Sequence, residues 1–406
     1  MKNLVVGQSG GPTAAINSSL AGVVKMALDS DKIKTVYGMI NGIDGFLKER
    51  LTDMERFRDS ERLRLLRQTP SSYLGSCRRK LPEPQENEQI YEDIFALFEK
   101  YNIGYFIYIG GNDSMDTVKK LSAYARKKGS DVVVAGIPKT IDNDLVLTDH
   151  TPGYGSAAKY VANSVRQLSA DTGVYDMKSI VVAEIMGRNA GWLTAAAALA
   201  NTKSAAPVDI ILLPETVFDE DKFIARVREV MKNKNSTIIA VSEGIQDKDG
   251  KYIGEASSAL MGDGFNHAAL GGAGRIVEHM ISSRLRIKTR SIEFSTLQRC
   301  CTQSISLCDY DEAFAAGYDG TSHALEGNTG FMAGFKRISD KPYICEVGFY
   351  DVNSVANLEK RVPPEMIGSD NMSVTQAFTD YALPLISGEP ELIYDNGVIA
   401  LETLQR

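Results

Sequence analysis

The chain is poor in the residues that bind transition metals or cross-link secreted folds. Its 406 residues include five cysteines and four histidines. Cys77, Cys300, Cys301, Cys308 and Cys345 show no metal-ligand spacing, and the histidines are scattered away from them. That excludes a zinc module and a disulfide scaffold, and reads as reduced thiols in a cytoplasmic protein. Cys300 and Cys301 are adjacent, and small buried hydrophobes are a commoner reading of such a pair than a redox couple. No apolar run approaches the ~20 residues of a membrane span. Met1-Lys2-Asn3-Leu4-Val5-Val6 reads as a strand start rather than a signal peptide. Basic excess is missing too: the formal net charge is −7, which disfavours a nucleic-acid partner. An anionic ligand must therefore be met by local cations, for which Arg78-Arg79-Lys80 is the best candidate. The chain has neither a G-x-x-x-x-G-K-[ST] loop nor an intact G-x-G-x-x-G after its first strand, so P-loop and dinucleotide readings lose their main support.

What the chain does have is a steady alternation of apolar, strand-like runs with helical stretches. Residues 4–6, 103–109, 132–137, 179–185, 210–213 and 237–241 read as buried strands. Residues 16–28, 90–101, 114–128, 156–170, 190–200 and 219–232 read as helices. This βαβα rhythm predicts an α/β fold with mainly parallel sheets covered by helices. The length suits two connected lobes better than one core. Residues 1–150 are expected to form a phosphoryl-donor lobe and 151–300 a sugar-phosphate lobe, with 301–406 completing both. The crossing point is placed near Pro152, Gly153 and Gly155. The charged stretch 50–81 reads as a solvated helix followed by a loop ending at Gly75-Ser76-Cys77-Arg78.

Two segments at strand ends carry chemistry: Gly110-Gly111-Asn112-Asp113-Ser114 and Pro138-Lys139-Thr140-Ile141-Asp142-Asn143-Asp144. Ligands of open α/β sheets bind beyond the carboxyl ends of the strands, so both should converge on one cleft. Paired glycines let backbone N–H groups approach a phosphate. Asp113 has a plain structural reading as the cap of the following helix. Asp142 and Asp144 alternate, so an extended chain would point both to one side. There they would hold Mg²⁺ through oxygen ligands, and one of them can accept a hydroxyl proton. Lys139 would meet the charge of a transferring phosphoryl group. Gly7-Gln8-Ser9-Gly10-Gly11-Pro12, which opens a helix, reads either as a second phosphate-binding turn or as a tight turn that binds nothing. Trp192, the alanines around it and Glu184 read as packing or satisfied core groups.

In these residues the chain resembles the phosphofructokinase family. The resemblance runs nearly end to end through Gly10-Gly11, Gly75-Ser76-Cys77-Arg78, Gly110 to Ser114, Pro138 to Asp144, Met186-Gly187-Arg188, Glu243-Gly244 and Gln298-Arg299. It implies two Rossmann-like lobes with the active site between them, in a homodimer or homotetramer whose neighbouring subunit completes the site. It implies Mg²⁺-dependent phosphorylation of the C1 hydroxyl of fructose 6-phosphate. Asp142 would be the base and Asp144 its support. Gly11, Arg78, Gly110 and Gly111 would bind the donor. Thr140, Ile141, Asp142, Met186, Gly187, Arg188, Glu243, Arg290, Thr296 and Arg299 would bind the sugar phosphate. Asn112 falls at a metal-linked position. Relatives that use ATP carry glycine at the positions of Asp113 and Lys139, whereas those that use pyrophosphate carry aspartate and lysine. A carboxylate at Asp113 would repel a nucleotide α-phosphate, by about 4 kcal/mol for charges ~4 Å apart at an effective dielectric of ~20.

The chain departs from the family pattern at three places. Asn112 stands where the family commonly has aspartate, Thr296 where it has histidine, and Lys178 near an arginine donated by the neighbouring subunit. Acceptance of sedoheptulose 7-phosphate stays open on those grounds. The alternatives are an ATP-dependent 6-phosphofructokinase and a non-catalytic regulatory subunit of the same fold. A lipid or nucleotide-cofactor kinase would not need the Met186-Gly187-Arg188 and Gln298-Arg299 motifs.

Overall fold

A computed structural model describes residues 1–254 and 272–404. The apolar runs form strands β1 (Lys2–Gln8), β2 (Ile33–Met39), β3 (Leu51–Asp53), β4 (Ile103–Gly110), β5 (Val133–Pro138), β6 (Ser179–Ile185), β7 (Val208–Leu212), β8 (Ser236–Ser242), β9 (Lys288–Glu293), β10 (Phe331–Asp340) and β11 (Tyr343–Asp351). The larger sheet has the order β11-β10-β5-β4-β1-β2-β3, and the smaller the order β7-β8-β6-β9. The smaller sheet is parallel throughout. The larger is parallel from β10 to β2 and antiparallel at both edges. β1, β4 and β5 are buried along almost their whole length. Such strands need helices on both faces, which is why they read as continuous apolar runs rather than alternating ones.

Register places the functional segments. Gln8 pairs with Ile109 and Gly110 with Pro138, so three strands end level with one another. In the smaller sheet Ile185 pairs with Ser242, and Glu184 with Glu293. The carboxyl ends of both sheets thus supply the turns that carry the family motifs.

Some local expectations need correction. The stretch 190–200 is a one-turn α-helix, Trp192–Ala195, followed by a 3₁₀ segment, Ala196–Ala200. All of its residues are buried, and packing sets its winding instead of propensity. Within 50–81 the chain first pairs with β2 as β3, and only then forms the helix Ser60–Gln68, which Asp59 caps. β10 and β11 extend the larger sheet; β11, intermediate or exposed along its whole length, lacks the continuous apolar run of the buried strands.

Helices Ile16–Asp29 and Leu307–Leu325 cross in close contact at two glycines. A Cβ on Gly22 would lie 2.1 Å from the Phe314 carbonyl oxygen, and one on Gly317 would lie 2.0 Å from that of Ser19. The Ser18 hydroxyl donates to the Tyr310 carbonyl at 2.6 Å across the same seam. This crossing seats the helix that follows the Gly10-Gly11 turn. Gly317→Ala forces the two backbones apart and should destabilise the protein by about 1–3 kcal/mol in urea unfolding. A change below about 0.5 kcal/mol would mean that the seam is not tight.

Candidate active site

The turns after β1, β4, β5, β6 and β8 and the 3₁₀ helix Ser295–Arg299 close around one cleft of about 510 Å³. Gly10, Gly11, Gly111, Asn112 and Asp113 line one side. Met186, Arg188, Glu243 and Arg299 line another, and Lys139, Thr140, Ile141, Asp142 and Asp144 lie between. Arg78 and Lys80 stand at the mouth, whereas Arg79 turns away to pair with Asp44 at 3.0 Å. That alternation is what an extended tract gives.

Lys139 is 2% exposed. Its backbone N–H donates to the Gly110 carbonyl at 2.9 Å, and its ammonium donates to the Gly11 carbonyl. Burial pulls the ammonium down to about 8, against the opposing pull of Asp142 and Asp144. The Gly10-Gly11 turn is locked to the 75–78 loop: the Gly10 N–H donates to Cys77 O at 3.1 Å and the Ser76 hydroxyl to Gly10 O at 2.6 Å. Gly10 has φ +76°, a left-handed conformation that favours glycine.

The acidic loop is not extended as its spacing suggests. Asn143 is buried with φ +54°, so the chain turns between the two aspartates. Both still line the cleft. Burial raises both carboxyls well above their usual range; Glu243 adds to the rise for Asp142, and Asp142 for Asp144. Burial also pushes Glu243 up to about 7, while one of its oxygens accepts the Gly187 N–H at 3.3 Å. The Met186 N–H donates to Gln298 Oε1 at 3.2 Å, tying the turn after β6 to the segment that carries Arg299.

Three further placements depart from expectation. Asp113 is not a helix cap: the helix starts at Asn112, with Gly111 before it. Instead Asp113 pairs with Lys80 at 2.9 Å and is partly exposed. Asn112 donates to Leu358 O and accepts the Asn357 N–H, both at 2.6 Å. Its amide is committed to chain contacts, which tells against its use as a metal ligand. Arg290 and Thr296 do not line this cleft. Arg290 sits on edge strand β9, paired with Val181, and borders a small hollow with Tyr175 and Met177. Thr296 is exposed. Gly110 and Gly187 do not themselves line the cleft, although their neighbours Gly111, Met186 and Arg188 do, and Lys178 donates to Met231 O at 2.6 Å.

Lys80, part of the basic tract expected to meet an anion, does line the cleft; sequence reasoning missed Asn189 and Asn357 in the lining, and Glu359, whose charge reaches Asp142 and Asp144. The last two come from a connecting segment with no motif of its own.

Among the described residues no group of three or more His, Cys, Asp or Glu is arranged to hold a metal. Mg²⁺ does not need one, because it is commonly held by one or two carboxylates plus substrate phosphates. Asp144 Oδ1 is buried without a hydrogen-bond partner, and paired acids with raised proton affinity favour a cation. The donor set fits Mg²⁺ bound together with a phosphate ligand. No helix among the described residues is long and apolar enough to cross a membrane, and all five cysteines are free.

Parallel sheets, a glycine-lined anion cradle and buried carboxylates beside a buried lysine define a phosphoryl-transfer enzyme of the α/β class. Comparison with known proteins agrees. A phosphofructokinase family model matches residues 3–316, and the chain belongs to that family. It is 41% identical to the pyrophosphate–fructose 6-phosphate 1-phosphotransferase of Methylococcus capsulatus, over 99% of this chain and 96% of that protein. Identity to the protein of the same name from Xanthomonas campestris is 39%, over 97% and 93%. The solved pyrophosphate-dependent phosphofructokinase of Nitrosospira multiformis superposes with a TM-score of 0.89 at 36% identity, covering 98% of this chain and 95% of that one.

The raised Glu243 carboxyl makes a stability prediction. An unfolded glutamate ionises near pH 4.5, whereas the folded one keeps its proton to about 7. Stability from this group is therefore present at low pH and lost as pH rises through about 7. In ligand-free protein, Glu243→Gln should be more stable than wild type at pH 8 by on the order of 1–2 kcal/mol, discounted for partial exposure. The two should be near parity at pH 4.5. Equal melting at both pH values would show that Glu243 ionises without strain.

Proposed function

We propose that this chain catalyses the reversible, Mg²⁺-dependent transfer of a phosphoryl group from pyrophosphate to the C1 hydroxyl of fructose 6-phosphate, giving fructose 1,6-bisphosphate and phosphate. The observation that carries the reading is Asp113 and Lys139 together in the cleft that holds Asp142 and Asp144. The relatives named above carry the same activity in their names.

In this reading Asp142 takes the proton of the C1 hydroxyl as that oxygen attacks phosphorus in line. Its raised proton affinity suits a base working near neutral pH. Lys139 meets the charge developing on the transferring group, with Arg78 and the Gly10-Gly11 and Gly110-Gly111 turns around the pyrophosphate. Asp113, held by Lys80, occupies the space that the rest of a nucleotide would need. Arg188, Glu243, Met186 and Arg299 orient the sugar phosphate, and most of the acceleration comes from positioning and fixed charge. Mg²⁺ would be held by Asp144 and Asp142 with pyrophosphate oxygens, where it neutralises charge on the phosphoryl groups.

We further infer a homo-oligomer. Arg290 lies away from its own cleft, on a face that also exposes Val174, Tyr175 and Met177. A second copy would bring it to the 6-phosphate. Residues 1–150 would then act as the donor lobe and 151–300 as the sugar lobe.

Asp113→Gly with Lys139→Gly should lower kcat/KM for pyrophosphate by about 10²–10³-fold, the usual cost of losing a preorganised electrostatic contact. Unchanged pyrophosphate use in this double variant would contradict the donor assignment.

A further inference from the structure

The acidic loop is braced by a segment that carries no motif and lies outside the residues matched by the family model. Lys360 is its centre. The Lys360 backbone N–H donates to the Asp144 carbonyl at 2.7 Å. Its ammonium reaches three acceptors on the same loop: Asn143 Oδ1 at 3.3 Å, Thr148 O at 3.2 Å and Asp149 O at 2.8 Å. An ammonium has three hydrogens, so its donor capacity is filled by the loop alone. The left-handed turn at Asn143, which separates Asp142 from Asp144, thus has its side chain and its downstream carbonyls fastened to one cation.

The segment around Lys360 also touches both walls of the cleft. Upstream, Asn357 and Leu358 are bound by the Asn112 side chain at the start of the donor-side helix. Downstream, the Val362 N–H donates to Glu215 Oε1 at 3.0 Å, and the same oxygen accepts the Gly191 N–H at 2.8 Å. The indole of Trp192 donates to the Lys360 carbonyl at 3.0 Å, and the Lys360 ammonium lies 5.2 Å from its ring centre. Residues 357–362 form a strap with three hydrogen bonds to the helix that starts at Asn112, several to the acidic loop, one from Trp192 and one link to Gly191 through Glu215.

We propose that Lys360 is a positioning residue for phosphoryl transfer: it fixes the acidic loop, and through the strap sets the distance between the donor-side and sugar-side walls. Lys360 does not line the cleft. The proposal rests on the reading of Asp142 and Asp144 given above. A brace that serves only stability would lower melting temperature and leave turnover per folded molecule alone. A positioning brace lowers kcat while substrates still bind, because misplacement of about 1 Å costs on the order of 100-fold.

The test uses the full chain. Lys360→Met keeps the side-chain length and removes the ammonium. Its kcat should fall about 100-fold, with KM for both substrates within about threefold of wild type. Trp192→Phe keeps the packing and removes one bond to the strap, and should lower kcat about fivefold, the equivalent of one hydrogen bond. The double variant should fall by less than the product of the two, because both act through one strap. A folded Lys360→Met protein with kcat within twofold of wild type overturns the proposal, as does a raised KM at unchanged kcat. If Lys360→Met fails to fold, Trp192→Phe decides: reduced kcat at constant KM supports the proposal and unchanged kcat overturns it. Turnover is read with whichever donor the wild-type chain uses, so a preference for ATP would contradict the donor assignment without touching this result.

Discussion

The site depends on one buried cation. Lys139 follows directly from β5 and is almost wholly buried at the floor of the cleft. An ammonium taken out of water costs several kcal/mol unless partners repay it. Here the partners are the Gly11 carbonyl on one side and the charges of Asp142 and Asp144 on the other. The carboxylates are in the reverse position: burial raises the proton affinity of both, with Glu243 adding to it for Asp142 and Asp142 for Asp144. Each set makes the other tolerable. An incoming anion adds negative charge to this balance, which Arg78 and Arg299 are placed to offset.

That balance requires a loop that cannot drift, and the fold holds it from its far end as well. Asp149 receives Arg337 through both carboxylate oxygens, at 3.1 and 2.9 Å. His150 sits between Asp149 at 2.9 Å and Glu312 at 2.7 Å, stacked on Phe335. Burial alone would lower the imidazole, but Glu312 and Asp149 outweigh it and hold it up at about 9, so it stays charged. Tyr381 donates to the Asp149 carbonyl at 2.7 Å and accepts from Asn143 at 2.8 Å. The loop that carries the acids is thereby joined to β10 and to the helix Leu307–Leu325, elements far from it in sequence.

Much of this was legible in the sequence, for identifiable reasons. β6 matched its apolar run residue for residue, and β4 and β5 to within a residue at each end, because strands buried on both faces have no reason to alternate. The position of the cleft followed from strand ends. What the sequence hid was whatever depends on distant partners. The turn at Asn143 breaks the apparent alternation of Asp142 and Asp144, since an asparagine tolerates the left-handed region at little cost. Asn112 looked like a ligand position, yet its amide serves residues 357 and 358. Arg290 lies at a family position and is carried away from the cleft by an edge strand. Lys360 and Glu359 sit in a connection with no periodicity, where only three-dimensional contact gives them meaning. The weak signal of β11 reflects its place at the sheet edge, where none of its residues is fully buried.

The central claim is that Asp113 and Lys139 select pyrophosphate over a nucleotide. The most direct test is kcat/KM of the purified wild-type chain for pyrophosphate and for ATP, at saturating fructose 6-phosphate and fixed Mg²⁺. The account predicts a preference for pyrophosphate of at least about 100-fold, the equivalent of roughly 3 kcal/mol. Turnover of ATP as good as or better than that of pyrophosphate would contradict it.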